Sequence, residues 1–131
     1  MRASTRVFLE TVAKKRMEAI REGSPDLNVE MAMDDSGLRC AIQVTRDGGL
    51  VRLEFIESTV TAGKQAQFDD YIEVASSIGS LAIIFPESKF SRDMASNIYQ
   101  SVLKEARQRT DREISFLGFV YDERMNLKKV E

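Results

Sequence analysis

Residues 25–58 read PDLNVEMAMDDSGLRCAIQVTRDGGLVRLEFIES, and the rest of the chain is organised around them. Apolar residues alternate with others in three runs, the period that puts successive side chains on opposite faces of a strand. In the first run Leu27, Val29, Met31 and Met33 share a face, against Asn28, Glu30 and Ala32. In the second, Cys40, Ile42 and Val44 oppose Arg39, Ala41, Gln43 and Thr45. In the third, Val51, Leu53 and Phe55 oppose Arg52, Glu54 and Ile56. Asp34-Asp35-Ser36-Gly37 and Arg46-Asp47-Gly48-Gly49 are turn chemistry, since Asp and Gly accept tight backbone and Asp-Gly suits a short hairpin loop. Three strands with one greasy face each predict a meander that a helical layer must cover.

Helical spacing flanks the meander. Phe8, Leu9, Val12, Ala13, Met17 and Ile20 form one apolar stripe, capped by Ser4 or Thr5 and running to about Glu22. Gly23-Ser24-Pro25 then stops it, because glycine suits the final turn and proline cannot donate the next backbone hydrogen bond. Lys14, Lys15, Arg16 and Arg21 are read as a solvated face whose charge suits the helix dipole. Beyond the meander, Phe68, Tyr71, Ile72, Ala75 and Ile78 predict a second helix over Lys64 to Ile78, ended by Gly79. Leu81-Ala82-Ile83-Ile84-Phe85 is apolar without alternation, the pattern of a strand buried on both faces in mid-sheet. Ser91 is the expected cap of a third helix to about Arg109, with Ala95, Ile98, Tyr99, Val102 and Ala106 inward. Ile114 to Tyr121 predicts a last strand, and the polar final ten residues are expected to fray. A strand, helix, strand order implies a right-handed crossover and a parallel pair. The expectation is a single α/β (α+β) domain over residues 1–131 with a mixed sheet, free of internal repeats.

Composition narrows the chemistry. The 131 residues are 43% hydrophobic and 31% charged, ordinary for a globular domain, with a formal net charge of −2. No global positive field draws such a chain to nucleic acid, so binding there needs a local basic patch. There is no histidine and one cysteine, Cys40. That removes Ser-His and Cys-His nucleophile pairs and the zinc sites built from His or several Cys. Chemistry would rest on carboxylates, lysines, tyrosines or an oxygen-ligated metal such as magnesium. One cysteine allows no intrachain disulfide, and no apolar run approaches the ~20 residues that span a bilayer. A cytoplasmic protein without a membrane segment is expected.

The order helix, three strands, helix, strand, followed by helix and strand, resembles the restriction endonuclease-like fold of the PD-(D/E)xK nuclease superfamily. The resemblance lies in element order over most of the chain. It implies an acidic residue opening the second strand, a Glu-x-Lys on the third, and often a glutamate from the first helix. Alternate residues of one strand share a face, so carboxylates there hold a divalent metal while the lysine helps position the attacking water. Set on this sequence, Glu54 matches the third-strand glutamate. Ile56 stands in place of the lysine, and Arg39 or Cys40 in place of the acidic residue. Glu10 or Glu18 would be the first-helix glutamate, and Asp26 of Ser-Pro-Asp falls too early. Glu30 and Glu57 are possible substitutes, with Glu57 on the opposite face of a regular strand. The resemblance therefore implies a degenerate site, with Glu54, Glu10 and Glu18 as vestigial candidates and Glu54 the sole metal candidate. The bland alternative pairs Glu54 with Arg39 or Arg52 across the sheet.

Lys104, Arg107, Arg109 and Arg112 gather at the end of the third helix and are the nucleic-acid candidates. Glu105, Asp111 and Glu113 interleave with them, which favours plain dipole complementation. Asp69 and Asp70 are read the same way for the second helix, Gly48-Gly49 as a turn, and Cys40 as a buried, unreactive thiol. Met31 and Met33 are expected in the core. The favoured reading is a binding or assembly module for nucleic acid or a protein partner, with no cofactor. One rival is an active magnesium-dependent nuclease with a rearranged site. A second is a dimeric chaperone, since a small acidic α/β chain opening with a helix and a meander also looks like the type III secretion class.

Overall fold

A computed structural model of the chain describes residues 2–88 and 92–130. Helix α1 (Arg2–Gly23) precedes strands β1 (Asn28–Met33), β2 (Arg39–Arg46) and β3 (Gly49–Glu57). Helix α2 (Gln65–Ile78), strand β4 (Ser80–Pro86), helix α3 (Arg92–Arg109), and strands β5 (Ser115–Tyr121) and β6 (Leu127–Val130) follow. All six strands form one mixed sheet in the order β1-β2-β3-β4-β5-β6. The meander pairs antiparallel, with a register shift at Val44/Thr45; β3, β4 and β5 run parallel, and β6 returns antiparallel to β5.

The three predicted helices and five predicted strands are present, within a residue or two of their expected bounds except at the start of α1. Helix α1 starts at Arg2, so Ser4 and Thr5 stand inside its first turns and neither is the cap. Ser91, the expected cap of α3, lies outside the described residues. Up to Val130 the tail does not fray: Asp122 Oδ1 accepts backbone N–H groups of Arg124 and Asn126 at 2.9 Å each, closing a turn that lets Leu127–Val130 pair with β5. A short side-chain-closed turn leaves no periodic signal, so the polarity of the segment concealed β6.

Two cores sandwich the sheet. On one face α1 packs Leu9, Val12, Ala13, Met17 and Ile20 against Val29, Cys40, Ile42, Val44, Ile56 and Ile84. On the other, α2 and α3 pack Tyr71, Ile72, Ala75, Ala95, Tyr99, Val102 and Ala106 against Phe55, Leu81, Ile83, Phe85 and Val120. Strand β4 is buried along its length except at Ser80, which explains its unbroken apolar run. Gly79 closes α2 with φ 82° and donates its N–H to Ala75 O at 3.0 Å. Gly118 admits the Tyr99 ring, whose hydroxyl donates to Ile83 O at 2.6 Å and accepts from Phe119 N–H at 3.1 Å. A methyl group at position 118 would collide with that ring.

Strand β3 departs from expectation. Its supposedly polar face is covered too: Glu54 and Ile56 are as buried as the core, and Glu57 is fully buried on the other side. Being central in the sheet, β3 has helices over both faces, so alternation marks which helix a residue meets and not whether water reaches it.

Candidate functional site

Glu54 sits on the α1 face of β3, where the nuclease pattern would hold metal. Its carboxylate is saturated by cations. Arg16 of α1 binds it through two nitrogens, Nε to Oε1 at 2.7 Å and Nη2 to Oε2 at 3.0 Å. Arg52, two residues upstream on the same face, donates Nε to Oε2 at 2.8 Å. The Arg16 guanidinium also lies 4.4 Å from the ring centre of Phe119 on β5. Glu54 is 0% exposed, and the Arg16 and Arg52 side chains are 13% and 19% exposed. The cluster of two guanidiniums and one carboxylate carries a net positive charge.

Glu57, three residues on, faces α2. Arg39 Nε lies 3.0 Å from its Oε1 and 3.1 Å from its Oε2, Thr61 donates its hydroxyl to Oε1 at 2.9 Å, and the Tyr71 hydroxyl donates to Oε2. Arg39 is shared: its Nη1 binds Asp70 at 2.7 Å, and its guanidinium lies 4.3 Å from the Phe55 ring centre. Burial pushes the Glu57 carboxyl above the usual glutamate range, with Arg39, Tyr71 and Thr61 opposing the shift. Arg39 Nη2 is buried without a partner among the described residues. This second cluster has two carboxylates to one guanidinium, and its net charge is negative.

The sequence candidates disperse. Glu10 pairs with Arg6 within α1 at 3.2 Å, and Glu18 is exposed. The α1 residue that reaches Glu54 is Arg16, opposite in charge to the expected glutamate. Of the two proposed partners of Glu54, Arg52 is one, whereas Arg39 belongs to Glu57, its direct neighbour across β2 and β3. Arg39 does open β2, in the place of the acidic residue. Asp26 pairs with Arg46 at 2.8 Å at the surface. Glu30 is exposed on the sheet face away from α1. Lys104, Arg107 and Arg109 are exposed on α3, across the sheet from Glu54. Arg112 leaves that group: its Nη1 donates to Ser77 O at 2.6 Å, at the C-terminal end of α2, and its side chain covers Gly79. Asp70 is the partner of Arg39, a role beyond dipole complementation. Cys40 is 1% exposed, and burial pushes its thiol up to about 12, as expected of an inert core cysteine. Met31 and Met33 pack, half-buried, against the α1 core.

Nothing in the spacing of residues marks Arg16 directly as a partner of Glu54. Its position on the flank of the apolar stripe, one turn after Val12, was the available signal. Among the described residues, no three Asp, Glu, Cys or His side chains converge as a metal site. No helix among them is long and apolar enough to cross a membrane. A cleft of about 320 Å³ opens beyond the carboxyl ends of β3, β4 and β5, lined by Phe8, Ser58, Pro86, Tyr121 and Asp122 among others. Compared with known proteins, the chain matches no family model and no curated sequence.

Proposed function

We propose that this domain is a binding or assembly module on a restriction endonuclease-like core whose metal chemistry has been replaced by ion pairing. One observation carries the reading: both oxygens of Glu54, at the place of the third-strand glutamate, are occupied by Arg16 and Arg52. A divalent cation there would displace three charge-assisted hydrogen bonds and face two guanidiniums. Each unit of that repulsion is about 4 kcal/mol for charges roughly 4 Å apart at an effective dielectric near 20. Ile56, where a lysine would position water, is buried in the core instead. The lone buried thiol of Cys40 fits a reducing, cytoplasmic setting.

Titrating magnesium or manganese while following the melting temperature, with a cleavage assay on single- and double-stranded DNA and RNA, tests the proposal. The expected result is no metal-dependent stabilisation and no cleavage. Metal-dependent cleavage that Glu54→Ala abolishes would establish the nuclease instead.

A further inference from the structure

The sheet ends in two edge strands of different character. Strand β6 is four residues long and carries Lys128, tied to Glu87 at 3.1 Å, and the exposed Lys129. Shortness and lysines both keep an edge from pairing with another chain. Strand β1 at the other edge is six residues, NVEMAM, with Glu30 its one charge. Met31 and Met33 lie half-buried beside α1, while Asn28, Glu30 and Ala32 are exposed on the opposite face.

One hydrogen bond fixes which backbone groups of β1 face outward. Just past the strand, Asp34 N–H donates to Arg39 O at 2.8 Å. In an antiparallel pair, successive residues alternately turn both backbone groups towards the partner strand and away from it. Counting back along the unbroken β1–β2 register, Ala32, Glu30 and Asn28 turn theirs to β2. Met33, Met31 and Val29 therefore aim their N–H and C=O groups at the edge, where no strand lies among the described residues. The open edge thus presents three backbone donors, three acceptors and the apolar side chains of the same three residues.

We propose that β1 pairs antiparallel with β1 of a second copy, about a two-fold axis through Met31, and joins two six-stranded sheets into one. A two-fold axis perpendicular to the sheet leaves every side chain on its own face, so only residues an even number apart can stand opposite each other. Centred on Met31, the pairing exchanges backbone hydrogen bonds between the two Met31 residues and between Val29 and Met33, and all the outward groups are used. Glu30 then stands opposite Ala32. An axis through Glu30 would set the two Glu30 carboxylates against each other, and an axis through Ala32 would set Glu30 against Asp34. Like charges directly opposite are destabilising, so charge selects the register through Met31. The pairing involves neither Glu54 nor its arginines, so it stands apart from the reading of that site.

Sedimentation velocity over a concentration series tests the pairing, with the wild type expected to pass from monomer to dimer. A wild type that stays monomeric throughout overturns the proposal. Register is tested with Glu30→Cys and Ala32→Cys, both at exposed positions where folding is not at stake. In the proposed dimer these two positions form a pair without backbone hydrogen bonds, with Cα atoms about 4.5 Å apart and within disulfide reach. Under oxidation a disulfide dimer is expected when the two variants are mixed and from neither alone; the native Cys40, 1% exposed, stays silent. No cross-link in the mixture, or equal cross-linking of either variant by itself, overturns the proposal. Ala32→Lys, facing Glu30 of the second copy, should lower the dimer dissociation constant about fivefold, and Ala32→Glu should raise it about as much. A dimer indifferent to both substitutions also overturns the pairing. Metal-dependent cleavage would defeat the reading of Glu54 and leave all these outcomes unchanged, so the two failures are distinguishable.

Discussion

Glu54 and Glu57 are both fully buried and stand three positions apart on one strand, yet they live in opposite electrostatic worlds. An odd separation along a strand sends them to opposite faces. Glu54 meets two arginines that keep some contact with water. Glu57 shares one arginine with Asp70 and draws on the neutral hydroxyls of Thr61 and Tyr71. The first carboxylate is a minority among the cations that hold it. The second is over-supplied with negative charge and holds the core together. Burial alone therefore does not define what a buried glutamate does; the charge balance of its partners does.

The largest expected effect follows from removing Glu57. Glu57→Ala leaves a largely buried Arg39 with Asp70 as its one carboxylate partner and a second nitrogen unpartnered, and should cost about 3 kcal/mol in urea unfolding. Glu54→Ala frees two arginines that can turn towards water, so a smaller loss of about 1–3 kcal/mol is expected in the same assay. Equal or inverted losses would break the contrast between the two sites.

Protonation should sharpen it. The folded Glu57 carboxyl titrates above its ordinary value of 4.5, so the folded state holds the proton more tightly than the unfolded chain. Its contribution to stability is then present below 4.5 and is lost as pH rises through the raised value. Urea midpoints collected from pH 4 upward should show a decline in the wild type that is flatter in Glu57→Gln; a wild-type gain relative to Glu57→Gln over that window would reverse the assignment.

A smaller effect concerns the backbone that carries the pair. The Tyr121 hydroxyl donates to Glu57 O at 2.6 Å, tying β5 to the end of β3. Tyr121→Phe should cost about 1 kcal/mol by thermal or urea unfolding, and no loss would show that this carbonyl finds water instead. The smallest is Asp70→Asn: Asp70 is half exposed, so the loss should lie within about 1 kcal/mol, visible as a lesser shift than either glutamate variant.

Much of this fold is legible in periodicity. The alternation of Val29-Met31-Met33 and Cys40-Ile42-Val44 marks the face that α1 covers, and the unbroken Leu81–Phe85 run marks the centre of the sheet. The candidate site was less readable. Position 54 could be picked out from element order, but its partner Arg16 lies 38 residues away on a helix that sequence spacing describes only by its apolar stripe. The preference of Arg39 for Glu57 over Glu54 depends on strand register, which the Val44/Thr45 irregularity adjusts and composition does not reveal.

By itself the sequence determined every element but β6, their order and the classes of chemistry that are closed off: the lack of histidine and the single cysteine exclude whole families of sites, because those reactions need atoms the chain does not contain. Tertiary structure alone decided which charges meet. Ion pairing depends on distances of a few ångströms between groups far apart in the chain, and only the stacking of α1 on β3 brings Arg16 to Glu54, while only the β2–β3 register brings Arg39 to Glu57.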